Sequence, residues 1–172
     1  MLTAFSQEAG RNTVTIGAGG GFPAGGYRTD GFADSAAFSA SYEFRLFKYL
    51  APEAGVVNTI PNVEYGSKFG PYTIRERVTL LSLGVRGILP LRQGRIELFA
   101  GVGTAHIWSS DPELTVEGYQ SPTWLLQVNG GGRLAIDHRH RFWIGPTVRL
   151  SRDGGRPTEE WVSLTGDLGF RF

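Results

Sequence analysis

A chain of 172 residues is sized for one domain with a real core or for one closed barrel. A formal net charge of +1 gives no general attraction to nucleic acid or to acidic partners, and zero cysteines exclude a disulfide framework and thiolate metal sites. Hydrophobic residues make up 41%, yet no run approaches the roughly 18 consecutive apolar residues of a membrane-spanning helix, so any crossing of a membrane must use strands.

The chain opens on MLTAFSQEAG, residues 1–10. Ala4 and Ser6 before Gln7 have the small-residue spacing of a signal-peptide cleavage site, but the charged and apolar regions that precede such a site are missing. Two readings stay open here, a remnant of an export signal and a disordered leader. Residues 11–172 are expected to form the single structural domain.

The first predicted strand, 12–22, sets Val14, Ile16 and Ala18 against Thr13, Thr15 and glycines. Its GAGGGFPAGG stretch resembles a phosphate cradle only superficially: no Gly-Lys-Ser/Thr continuation and no helix follow. The second, AFSASYEFRL (37–46), places Phe38, Ala40, Tyr42, Phe44 and Leu46 on one parity and Ser39, Ser41, Glu43 and Arg45 on the other. A period of 2 is a strand signature and cannot line one face of a helix. The third, 51–60, is the least regular; 73–89, 95–108 and 123–136 supply the fourth to sixth. In the seventh, Phe142, Ile144, Pro146, Val148 and Leu150 oppose Gly145, Thr147, Arg149 and Ser151, and in the eighth, from Trp161, Val162, Leu164, Leu168, Phe170 and Phe172 oppose Ser163, Thr165, Asp167 and Arg171. No segment reads as a helix.

Connection lengths alternate. After the second, fourth and sixth strands the chain turns within a few residues, at FKYL (47–50), LRQG (91–94) and DHRHR (137–141). After the first, third, fifth and seventh come longer polar stretches rich in turn formers, such as PNVEYGSKFGPY and SSDPELTVEGYQSP. Short loops join antiparallel neighbours, and eight such strands with tight turns at one end describe an all-β, eight-stranded antiparallel up-and-down barrel.

Which face points inward sets the solvent. The polar parity carries Glu43, Arg45, Glu53, Glu76, Arg86, Glu97, Arg133, Arg149, Asp167 and Arg171 among many Gly, Ser and Thr. An eight-stranded lumen is about wide enough for side chains to fill, and a mixed-sign set can pair there, where lone charges are costly. The other parity, Val, Leu, Ile, Ala and Phe, suits lipid, which predicts a transmembrane barrel. The inverted alternative, a soluble lipocalin-like barrel with an apolar calyx, lacks the Gly-x-Trp those proteins carry at the end of the first strand. Aromatics gather in two expected belts, Phe44, Phe47, Tyr49, Phe142, Phe170 and Phe172 at the short-turn end and Phe22, Trp108, Trp124 and Trp161 at the other.

With these alternations, LFAGVGTA (98–105) and the terminal aromatic, residues 11–172 resemble the small eight-stranded bacterial outer-membrane proteins of the OmpA transmembrane-domain and OmpX kind. The resemblance implies export through the periplasm to the outer membrane and a last strand read by the barrel-assembly machinery through Phe170 and Phe172. The family's usual glycine five residues before the end is Asp167 here. It further implies outer-membrane lipid and lipopolysaccharide as partners, a monomer, no nucleic acid, no cofactor and no metal.

For function, the favoured expectation is a non-enzymatic barrel whose interior charges cross-link opposite walls and whose four longer loops face outside the cell, in a structural or surface-interaction role. A narrow or gated pore through the same charges is one alternative. Arg75 and Arg77, on the parity of Leu81, Leu83 and Val85, are candidates for lipopolysaccharide phosphates, which guanidinium forks match well. A lipid A-modifying enzyme is the other: His106 precedes Ser109, Ser110 and Asp111, although a His and Ser two apart on one strand is the pattern such enzymes show. His138 and His140 in DHRH have no further ligand nearby in sequence.

Overall fold

The computed structural model describes residues 11–23, 35–60, 62–67, 70–75, 77–109, 124–152 and 160–172. Its elements are β1 (Asn12–Pro23), β2 (Ser35–Phe44), β3 (Leu50–Thr59), β4 (Asn62–Ser67), β5 (Gly70–Arg75), β6 (Val78–Leu91), β7 (Ile96–Ser109), β8 (Trp124–Ala135), β9 (Phe142–Arg152) and β10 (Glu160–Arg171). Eight of these close a barrel in the order β1-β10-β9-β8-β7-β6-β3-β2. Every neighbouring pair is antiparallel and, apart from the closing pair and β3·β6, consecutive in sequence. The expected up-and-down barrel is the observed architecture.

Closure is made by the two chain ends of the barrel. β1 runs against β10 from Thr13↔Arg171 to Pro23↔Trp161, and Asn12 and Phe172 exchange backbone N–H···O bonds of 3.1 and 2.9 Å. A closed sheet has no unpaired edge, so the barrel strands hydrogen-bond to one another all the way round without water.

One segment differs from the sequence expectation. A single fourth strand was expected over 73–89; instead β4 and β5 form a two-stranded hairpin outside the barrel, from Asn62↔Arg75 to Ser67↔Gly70, and the barrel strand starts only at Val78. The parity of Leu81, Leu83 and Val85 therefore does not extend to Arg75, which ends the hairpin.

The two faces differ as period 2 requires. Ile16, Leu83, Val102, Ile144 and Leu164 point outward and are 59%, 62%, 55%, 51% and 51% exposed, while Glu43, Glu53, Arg86, Glu97, Arg133 and Arg149 are buried in the lumen. The charged parity is thus the interior, which excludes the inside-out, lipocalin-like arrangement. Glycines on the inward parity make room for long side chains: a Cβ on Gly17 would collide with Asp167 Oδ1, and one on Gly131 would press on the Phe99 ring. At the β6–β7 turn Arg92, Gln93 and Gly94 all take positive φ (47°, 59° and 81°), a geometry that only the glycine adopts without cost.

Candidate functional site

The lumen is where chemistry-bearing side chains meet, and it has two layers. At the short-turn end the shear of the barrel brings β2, β3, β6, β7, β8 and β10 together around three glutamates. Glu43 accepts from Arg133 Nη2 (2.8 Å), Arg133 Nη1 (3.2 Å) and Arg86 Nη1 (3.2 Å). β2 and β8 lie four places apart in an eight-membered ring, so the Arg133–Glu43 pair spans the full diameter. Glu97 accepts from Arg133 Nε (2.7 Å), Arg171 Nη2 (2.8 Å) and Arg45 Nη2, 3.0 Å from both carboxylate oxygens. Glu53 pairs with Arg86 Nη2 at 2.5 Å and accepts from Asn129 Nδ2 at 3.2 Å.

The guanidinium planes also lie over rings. Arg86 is 4.2 Å from the Phe99 centroid, and Arg171 is 4.3 Å and Arg133 5.4 Å from that of Trp143. Trp143, 1% exposed, donates through Nε1 to the His140 carbonyl at 2.8 Å, which ties this layer to the β8–β9 turn. Such stacking supplies attraction at the faces that hydrogen bonds cannot reach.

Arg149 and Asp167 stand apart from this network. Arg149 Nη2 is 4.0 Å from Asp167 Oδ2 and its Nη1 donates to Thr165 Oγ1 at 3.3 Å, while Asp167 Oδ2 accepts from Thr147 Oγ1 at 2.6 Å. Asp167 Oδ1 and Thr59 Oγ1 are buried without a hydrogen-bond partner. A cavity of about 10 Å³ lies beside Arg149, bordered by Thr59, Gln127, Ser151 and Ser163 on one side and Val57, Leu80 and Trp161 on the other.

Around that cavity the lumen turns apolar. Ala37, Val57, Leu80, Ala105 and Leu125 form one buried cluster against which Ile107 and Trp161 pack. This layer was not expected from the sequence, and it corrects one assignment: Trp161 belongs to the interior and not to the outer aromatic belt. The signal was present, because Trp161 shares parity with Ser163 and Thr165, as Trp143 does with Gly145 and Thr147.

The other sequence-named residues divide by position. Phe170 and Phe172 lie outward at the short-turn end, their rings stacked at 6.0 Å, with Phe142 5.1 Å from Phe170. Trp108 and Trp124 are outward at the other end, 65% and 58% exposed. His106 lies on the outward parity, its ring edge-on to Trp124 at 5.1 Å and to Trp108 at 6.5 Å; Ser110, Asp111 and the Ser109 side chain lie outside the described residues, as do Glu76 and the side chains of Phe22 and Arg75. Arg77 is exposed just before β6. In the β8–β9 turn, His138 is exposed, and no metal-binding cluster of His, Asp or Glu occurs among the described residues. There partial desolvation pushes the Asp137 carboxyl up, but backbone N–H bonds from Phe142, Arg141 and Arg139 outweigh it and hold it below the usual carboxylate range.

No family model and no curated protein matches the chain. Solved structures do. Ail, the attachment invasion locus protein of Yersinia pestis, in complex with the heparin analogue sucrose octasulfate, matches with a TM-score of 0.61 at 16% identity over 95% of this chain and 99% of that one. Neisserial surface protein A matches with a TM-score of 0.65 at 11% identity over 94% and 97%, and the outer membrane protein OprG of Pseudomonas aeruginosa with 0.64 at 10% over 95% and 97%. The chain has the fold of the small eight-stranded outer-membrane β-barrels, in line with its OmpA/OmpX-like sequence pattern.

Proposed function

We propose that this protein is a non-enzymatic integral barrel of the bacterial outer membrane, exported through the periplasm, with a lumen closed to solutes and its four longer connections outside the cell. The observation that carries the reading is the inverted polarity of the wall: an exposed apolar band encircling a lumen of buried, paired charges. Contiguous apolar surface on that scale is unsuited to water and matches a bilayer's hydrocarbon. The interior charges Glu43, Arg45, Glu53, Arg86, Glu97, Arg133, Arg149, Asp167 and Arg171 then have a structural role, Arg133 with Glu43 holding opposite walls together and Arg149 with Asp167 joining neighbouring strands. Phe170 and Phe172 act as the signal to the assembly machinery, and the folded barrel works as a monomer in a structural or surface-interaction role.

The test is electrophoretic. Urea-denatured protein diluted into detergent micelles is expected to run as a band that shifts on boiling in SDS, whereas dilution into buffer alone gives none. A monodisperse β protein in plain buffer would overturn the reading.

The polyanion carried by the similar Yersinia protein is not extended to this chain. By sequence, the connections 24–34, 60–77, 110–123 and 153–159 hold nine acidic and five basic residues, a balance that repels a broad polyanion. A local contact between lipopolysaccharide phosphate and Arg75 with Arg77 is compatible with it. Arg75→Ala with Arg77→Ala is expected to lower thermal stability in lipopolysaccharide-containing membranes and leave it unchanged in phospholipid alone; equal melting in both would remove the assignment.

A further inference from the structure

The short-turn rim carries six exposed cations: Arg11 before β1, Lys48 in the β2–β3 turn, Arg92 and Arg95 at the β6–β7 turn, and Arg139 and Arg141 at the β8–β9 turn. Asp137 is the one acidic side chain among the described residues of these turns. Its oxygens accept the backbone N–H groups of Arg139 (3.2 Å), Arg141 (2.8 Å) and Phe142 (2.8 Å), so they serve the turn and not a guanidinium. The rim thus has five positive charges in excess, while the connections at the opposite end have four negative charges in excess. A chain whose net charge is only +1 is strongly polarised along its barrel axis.

Position gives this charge a target. Phe47, Tyr49, Phe142, Phe170 and Phe172 are exposed on the outer wall at the same end, and rings of this kind settle at the headgroup level of a bilayer. The turns extend just past them, within reach of lipid phosphates for Arg and Lys stems that lie along apolar surface with the charge in water. A crowded cationic ring repels itself unless anions gather on it, and guanidinium forks fit phosphate oxygens in pairs.

We infer that this rim is a binding surface for anionic phospholipid headgroups in the leaflet on the short-turn side. The inference rests on the membrane reading above. It makes the barrel selective for lipids with net negative headgroups over zwitterionic ones, whose ammonium groups oppose the same ring.

The experiment uses the full chain folded into phosphatidylcholine vesicles with and without phosphatidylglycerol, and measures the association of spin-labelled phosphatidylglycerol relative to spin-labelled phosphatidylcholine at the barrel surface. The preference expected is on the order of fivefold, the effect of about one cation near an anionic surface, and falls with added salt. The variant Arg92→Gln, Arg95→Gln, Arg139→Gln, Arg141→Gln should keep the heat-shifted band and lose most of that preference. Inorganic phosphate at the same ionic strength as chloride should compete no better than chloride, since the surface takes lipid and not free phosphate. Equal association of the two lipids, or a preference unchanged in the variant, overturns the proposal while the heat-shifted band leaves the membrane reading standing. A chain with no heat-shifted band in either vesicle overturns both.

Discussion

Strands β8 and β2 face each other across the lumen twice, in two different ways. Near the short turns Arg133 of β8 crosses to Glu43 of β2 through two N–H···O bonds. Near the long connections Leu125 of β8 joins the apolar cluster that holds Ala37 of β2. The first layer is directional: it closes only if each guanidinium finds its carboxylate, and a lost partner leaves a charge in a poorly solvated space. The second depends on volume alone, and its losses scale with the cavity left behind. One barrel therefore holds two layers that fail for different reasons, and substitutions can separate them.

The largest effect is expected from Glu97→Leu. Glu97 holds Arg45, Arg133 and Arg171 together, and its loss leaves three guanidiniums sharing what remains. The expected destabilisation is about 3–5 kcal/mol, read from urea unfolding in micelles. Glu97→Leu with Arg133→Leu should recover part of it, because the double change removes one charge of each sign. If the double variant is as unstable as the sum of the single ones, the layer is not a coupled network.

Leu125→Ala comes next. Leu125 is 1% exposed within the apolar cluster, so about 2–4 kcal/mol is expected by the same assay. In planar bilayers neither single variant should conduct, since the intact layer still seals the lumen, whereas Glu97→Leu with Leu125→Ala should give unitary steps. Conductance in the Leu125→Ala variant alone would show that the charged layer does not seal.

Within the apolar layer, at Thr59 beside Ala37, the expected effect changes sign. Thr59 is 2% exposed and its Oγ1 has no hydrogen-bond partner. Thr59→Val keeps the shape and removes a polar atom left unpaired, which should stabilise by up to about 1 kcal/mol. A loss of similar size would mean that the hydroxyl is paired within the adjoining cavity.

Both the strands and the charged layer could be read in the sequence, and the apolar layer was harder to see for a physical reason. In 37–46 or 161–172 the two parities differ sharply because one faces hydrocarbon and the other a polar lumen, so alternation alone gives strand and face. Leu80 and Leu125 of the apolar layer sit on the polar parity and look like errors in the pattern, as do Phe99 and Trp143 of the charged one, yet counting two residues from Ser82, Gln127, Glu97 or Gly145 places each inside. Trp161 was drawn to the outer belt by its type, although its parity with Ser163 was already visible. The β4–β5 hairpin was hidden in PNVEYGSKFGPY, whose Gly, Pro and Asn mark turns without telling a loop from a short excursion of strand. No sequence signal said which arginine meets which glutamate, because those partners are set by the barrel's shear and the hydrogen-bonded pairs lie 33 to 90 residues apart.

Asp137 offers the smallest effect and a control for the lumen, being a carboxylate stabilised by backbone N–H groups in water instead of by guanidiniums inside. Its folded pKa lies below the unfolded value, so its stabilisation is complete above the unfolded value of about 3.9 and is lost as pH falls through the lowered folded one. Asp137→Asn keeps an acceptor oxygen in the turn but not the charge. The expected result is a difference in urea midpoint between the two proteins that is constant from neutral pH down to about 4 and closes below it. Acid titration of the lumen carboxylates occurs in both proteins and cancels in that difference. A gap that persists in stronger acid would show that the turn favours an aspartate for its shape and not for its charge, and the contrast between the turn and the lumen would lose its electrostatic basis.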